Sequence, residues 1–164
     1  MYIYKKSITE GLQAEQRFKK LAEVRGYKVR EATKAEQFDH IDFHLTCKIF
    51  IHTVYVNARK RLNRRNIDFE DDWVWIELKN VRGKDGWLYG ASDFIAFEAE
   101  DSFIVSFRKE LLGFCETKID TQTRVHISSR AKYVCYSRRG RQDLISLIKM
   151  EDIRKLPNSV VWKK

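Results

Sequence analysis

Proline is almost absent from this chain: Pro157 is the only one in 164 residues, and glycine contributes seven. With no Pro- or Gly-rich stretch, low-complexity run or internal repeat, nothing divides the sequence, and one domain over residues 1–164 is expected. Cysteine is scarce as well. Cys47, Cys115 and Cys135 are odd in number and lack metal-ligand spacing, which excludes a paired disulfide framework and a zinc knuckle. They read as buried thiols in a reducing compartment. No apolar run approaches the roughly 18 residues that cross a bilayer, and the N-terminus carries no apolar signal segment. The expectation is a soluble, cytoplasmic protein with no membrane contact.

What is abundant is positive charge on a foldable background. Hydrophobic residues make up 43% and aromatic residues 13%, enough for a packed core. Lys and Arg total 32 against 23 Asp and Glu, a net charge of +9 that favours a polyanionic partner, nucleic acid first. The excess is concentrated in two places. Arg59, Lys60, Arg61, Arg64 and Arg65 crowd one stretch between predicted strands, and Arg138, Arg139 and Arg141 crowd a turn around Gly140; both are candidate phosphate-contacting segments.

Periodicity gives an α+β order. Ser7 and Glu10 have capping-box spacing and Gly26 is a natural helix stop, so a first helix is expected over about 8–25 with an apolar stripe of Ile8, Leu12, Phe18, Leu21 and Ala22. Glu15 falls beside that stripe, and an inward carboxylate is costly unless it is paired or holds a metal. Strands are expected at 27–32, 41–46 and 49–56, the last two as a hairpin around Cys47-Lys48, with Asp42 strand-borne. Further strands are expected at 93–98, 103–107, 131–137 and 144–148, and helices at 108–118 and 150–156. The sum is a mixed β-sheet with the N-terminal helix and a later helix packed on it.

The stretch Trp73–Gly90 holds the chemistry. Val74, Ile76 and Leu78 alternate with Trp75, Glu77 and Lys79, so Glu77 and Lys79 point the same way. Such a pair suits phosphodiester cleavage, the acid holding a divalent cation and the lysine neutralising developing charge; it is equally an ordinary same-face ion pair. Gly83, Gly86 and Gly90 mark the second half as a turn-rich loop, and Trp87 and Tyr89 read there as core-closing residues rather than base-stacking ones. His40 and His44 share a strand face, but four-residue spacing on an extended chain is too long for easy chelation of one ion.

Gly11-x-x-x-Glu15, Gly26-Tyr27-x-Val29, His40-x-Asp42 and a later Glu-x-Lys, in that order, together resemble the PD-(D/E)XK nuclease superfamily, in particular its Holliday-junction-resolvase-like branch and small phage-encoded members. The likeness extends through Trp75–Gly83, Gly86–Gly90 and Asp93–Glu98. It implies a restriction-endonuclease-like core and metal-dependent hydrolysis of DNA in a host cytoplasm. Asp42 and Glu77 would hold Mg²⁺ or Mn²⁺, Lys79 would position or activate water, Glu15 would assist, and a homodimer is plausible by the same analogy.

One departure divides the reading. The superfamily places (D/E)-x-K on the strand directly after the aspartate, and this chain has Tyr55-Val56-Asn57 there. In a simple meander Asp42 and Glu77 would stand about 9–10 Å apart with a strand between them, too far to share one ion. Either Glu77 and Lys79 replace the missing pair, or the catalytic pair is lost and the scaffold binds nucleic acid or a protein partner.

Overall fold

The computed structural model describes residues 2–61 and 69–164, with residues 2–7 described by backbone alone. Its first helix, α1 (Tyr2–Val24), begins well before the Ser7–Glu10 signal, so Ser7 lies inside the helix and does not cap it. The preceding residues contain neither proline nor glycine, and nothing there stops the helix from extending toward the N-terminus. Its end is as expected. Gly26 takes φ +87°, Gly26 N–H donates to Glu23 O and Tyr27 N–H to Ala22 O, the paired closure of a left-handed C-terminal cap. The buried face is Ala14, Phe18 and Ala22, spaced by four; Ile8 and Leu12 are exposed, which corrects the predicted stripe.

From there the chain forms β1 (Lys28–Glu31), a short helix α2 (Lys34–Phe38), and the hairpin β2 (Phe43–Cys47) and β3 (Phe50–Asn57). The capping box absent at Ser7 is found on α2, where Thr33 and Glu36 satisfy each other's backbone N–H groups. After residues 62–68 come β4 (Trp73–Lys79), a 3₁₀ turn at Trp87–Tyr89, β5 (Phe94–Glu98), β6 (Ser102–Phe107) and α3 (Arg108–Lys118). The chain continues with β7 (Asp120–Val125), β8 (Val134–Tyr136), β9 (Leu144–Lys149), α4 (Met150–Arg154) and β10 (Val160–Lys163). The α+β class stands, but the single sheet does not.

Among the described residues the strands form two sheets, one six-stranded in the order β1-β2-β3-β5-β6-β10 and one four-stranded in the order β4-β9-β8-β7. The simple meander is thereby overturned. β3 pairs in parallel with β5, so the chain must cross between them, and β4 is part of that crossover instead of the next strand in the sheet. The alternation of β4 explains its place: Val74, Ile76 and Leu78 are buried against Ile95, Phe97 and Ile104 of the large sheet, with α3 and α4 completing this layer. The opposite face of the large sheet takes α1. There Phe18 meets Phe103 edge-on at 5.3 Å and stacks on Trp162 at 5.5 Å.

A buried carboxylate ties these layers together. Glu98 is 4% exposed; its oxygens accept from Arg17 Nε at 2.6 Å and from Lys164 Nζ at 3.0 Å, joining α1, β5 and the residue after β10. Glu98→Ala is expected to lower unfolding free energy by about 2 kcal/mol, measured by denaturant titration. The larger loss typical of a fully buried pair is not expected, because Arg17, 45% exposed, rehydrates.

Candidate active site

Three of the acids singled out in the sequence, Glu15, Asp42 and Glu77, act electrostatically on one residue, Tyr55. Tyr55, on the β3 face opposite Val54 and Val56, packs into the inter-sheet core, stacking on Trp87 at 5.8 Å and meeting His40 edge-on at 5.7 Å. The charges of Asp42, Glu77 and Glu15 all act on its hydroxyl, and together with burial they hold the phenol far above its usual range. Tyr55 is therefore a neutral phenol within the electrostatic reach of three acids. It occupies the strand position where the nuclease resemblance expects an acid.

Each acid arrives by a different element. Asp42 lies just ahead of β2, where its N–H donates to Val54 O and its Oδ2 accepts from Val56 N–H at 2.7 Å, which fixes the carboxylate and leaves Oδ1 without that constraint. Glu15 comes from α1, one residue after the buried Ala14. Glu77 comes from the second sheet, on the half-buried face of β4 shared with Trp75. Loop 80–90 presses against it: a Cβ on Gly86 would lie 2.6 Å from the carbonyl carbon and 2.7 Å from the Cγ of Glu77. Gly90 is as tightly placed, since a Cβ there would lie 2.8 Å from Cβ of His40, itself held at φ +58°. Such a left-handed residue beside a cluster of acids is the kind of strain found at functional sites.

Electrostatics raise all three acids, with compensating charge only at Glu77. Burial, then the charge of Asp42, pushes Glu15 up to about 7. Burial pushes Asp42 up to about 6 against the pull of its Val56 hydrogen bond. Burial also raises Glu77, opposed by His40, the Trp87 N–H and Lys60. Lys60, three residues past the end of β3, is lowered by desolvation and drawn back by Glu77 and Glu10. Carboxylates with raised pKa values keep their protons to higher pH when folded than when unfolded. They therefore cost stability as pH rises from about 4, and the whole penalty is present above about 7. In EDTA the protein is expected to be less stable at pH 8 than at pH 5, and Glu15→Gln, its half-exposed carboxylate partly screened by solvent, is expected to recover on the order of 1 kcal/mol at pH 8, about 2–4 °C in Tm by scanning calorimetry. A Glu15→Gln variant no more stable than the native protein at pH 8 would contradict this electrostatic picture.

The other predicted residues divide. Lys79 shares the face of Glu77 by alternation, but the β4–β9 register shifts between the two, and Lys79 ends the strand exposed to solvent. Lys60 is the ammonium whose field reaches Glu77. Asn57, 6% exposed, donates from Nδ2 to Trp75 O at 3.5 Å and so links the sheets. Several arginines proposed for phosphate contact are occupied: Arg59 grips Asp71 through Nε at 2.7 Å and NH2 at 2.8 Å, Arg61 reaches Glu10 at 3.2 Å, and Arg138 is locked to buried Asp143. Arg139 and Arg141 are exposed, while Arg64 and Arg65 lie outside the described residues. Tyr55 and His40 are the contributors that pattern reading undervalued; their signal was position, beside Asp42 and at the expected acid site.

Among the described residues, no three His, Cys, Asp or Glu side chains converge as a ready-made metal site. The donor set nevertheless fits a hard divalent cation. It is all oxygen, and Mg²⁺ commonly takes one or two protein carboxylates with water and substrate oxygens completing its shell. No helix among the described residues is long and apolar enough to cross a membrane. Comparison with protein-family models, with curated proteins and with solved structures gives no match.

Proposed function

We propose that the protein is a metal-dependent DNA endonuclease of PD-(D/E)XK type, acting on phosphodiester bonds at the acid cluster around Tyr55. The observation that supports this reading is that the charges of Glu15, Asp42 and Glu77, from three separate elements, all act on the Tyr55 phenol, which stacks on Trp87 beside them. Half-buried carboxylates whose pKa values are raised mark candidate functional sites. Asp42, anchored through Val56 N–H, and Glu77, pinned by Gly86, would hold Mg²⁺ or Mn²⁺ with Glu15 in support. The ion would polarise the phosphate and lower the pKa of a bound water. Lys60 supplies positive charge beside Glu77, the part first given to Lys79. Tyr55 stays protonated at any physiological pH and adds no charge of its own to the site.

A second reading, a nuclease scaffold that binds nucleic acid or a protein partner without cutting, is favoured by one feature. At the two positions where the resemblance expects an acid and a lysine, Tyr55 stacks in the core and Asn57 ties strand to strand. Labelled linear, nicked and four-way-junction DNA, incubated with the protein in Mg²⁺, Mn²⁺ or EDTA, separates the two. Cleavage in either metal and none in EDTA supports the enzyme. Binding without cleavage, with cutting gained by Tyr55→Asp/Asn57→Lys, supports the second reading.

A further inference from the structure

The antiparallel pairing of β4 with β9 places Glu77 opposite Ile145 and Lys79 opposite Leu144. The loop leaving β4 and the turn entering β9 therefore emerge together, at the end of the second sheet where Glu77 stands. They also touch: a Cβ on Gly83 would lie 2.6 Å from Oε1 of Gln142. Both are tightly built turns with a left-handed glycine, Gly83 at φ +75° and Gly140 at φ +74°. In the first, Asn80 Oδ1 accepts from Arg82 N–H at 2.9 Å and Lys84 N–H at 3.2 Å. In the second, Arg141 N–H donates to Arg138 O at 3.1 Å, and Arg138 spends its guanidinium on Asp143, holding the turn to the sheet.

This leaves Arg82 and Lys84 on one turn and Arg139 and Arg141 on the other exposed, their cationic groups without an ion pair among the described residues. Arg59, Arg61 and Arg138, by contrast, are neutralised within the protein. We infer that the paired turns 80–85 and 138–142 form a cationic clamp for the sugar-phosphate backbone of nucleic acid, positioned beside Glu77. The inference rests on the nucleic-acid partner assumed above but not on catalysis. Rigid turns displaying side chains with uncommitted charges lose little entropy on engaging phosphates, and a net charge of +9 steers a polyanion toward them. Asp85 is the one acid on the first turn, and its backbone is engaged in a bridge to Lys79.

The test is binding of a fluorescent DNA duplex of about 30 base pairs in EDTA, by anisotropy, from about 50 to about 200 mM salt. The native protein is compared with Arg82→Ala/Lys84→Ala, with Arg139→Ala/Arg141→Ala, and with the charge-matched control Lys20→Ala/Lys28→Ala on α1 and β1. Each clamp variant is expected to reduce the slope of log affinity against log salt by about 1.8, two phosphate contacts, and to weaken binding at least about tenfold at the lower salt, with the control within about twofold of native. Equal losses in the control, an unchanged slope in the clamp variants, or no duplex binding would overturn the clamp. So would tighter, clamp-dependent binding to vesicles of anionic lipid than to the duplex. Because EDTA suppresses metal chemistry, a protein that binds through the clamp but never cuts DNA refutes the endonuclease and leaves this inference standing.

Discussion

Asp42→Asn is expected to slow metal-dependent DNA cleavage by about a thousandfold, roughly 4 kcal/mol of transition-state stabilisation, without loss of fold. The substitution keeps the size of the side chain and an oxygen able to accept from Val56 N–H, the contact that orients it at 2.7 Å. What it removes is the charge. Because burial raises the pKa of Asp42, the neutral amide is also expected to be as stable as the native protein or more so at pH 8, which separates a lost ligand from a damaged structure. Glu77→Gln should behave alike. Lys60→Ala is expected to cost about 10- to 100-fold through lost charge beside Glu77, whereas Lys79→Ala, an equally exposed lysine whose charge has no part in the field at Glu77, should stay within a few-fold of native. Single-turnover cleavage with chemical denaturation of the same variants provides both readings. A larger loss from Lys79→Ala than from Lys60→Ala would return the lysine role to the Glu-x-Lys motif.

Gly86→Ala should do comparable damage by another route. The backbone at Gly86 is extended, φ −81° and ψ 176°, a conformation alanine adopts freely, so strain is not the issue. Space is. The added methyl would sit against the carbonyl oxygen of Glu77 and 2.7 Å from its Cγ, well inside van der Waals contact, and the obstructing atoms include fixed backbone of β4. Either loop 80–90 lifts away from β4 or Glu77 moves. The expected cost is about 3 kcal/mol, a Tm lower by roughly 6–12 °C, together with loss of cleavage even where the protein remains folded. Gly113→Ala is a control on an exposed stretch of α3 with nothing within 4 Å of the new Cβ; it should be neutral or slightly stabilising.

The elements that could be read from the sequence were those whose signal is local. Alternation located β2 and β4, a β-branched and aromatic run located β3, and Arg108–Lys118 is a helix over the expected residues. Capping-box spacing misled at Ser7, because the same spacing inside a continuing helix carries no stop, while the working box at Thr33–Glu36 introduces a helix too short to show a period. β7 escaped notice because Asp120–Arg124 is exposed throughout and lacks an apolar face. The site was legible as a set of residues and illegible as an arrangement. That the charge of Glu77 acts on Tyr55 depends on β4 leaving the main sheet and on β3 pairing in parallel with β5, both long-range outcomes of core packing. Glycine positions in the loop were visible; that Gly86 is what holds Glu77 was not, since only the folded contact reveals it.

The central proposal is that Asp42 and Glu77, with Glu15 in support, hold a divalent cation. Titration of Mn²⁺ into the protein, with free Mn²⁺ followed by its electron paramagnetic resonance signal, tests this without reference to substrate. One site per chain that is filled at millimolar Mn²⁺ or below, competed by Mg²⁺, and abolished in Asp42→Asn is the predicted result. A native protein that leaves the Mn²⁺ signal untouched, or binds it equally well as Asp42→Asn and Glu77→Gln, would contradict the account and leave the scaffold as a binder of nucleic acid alone.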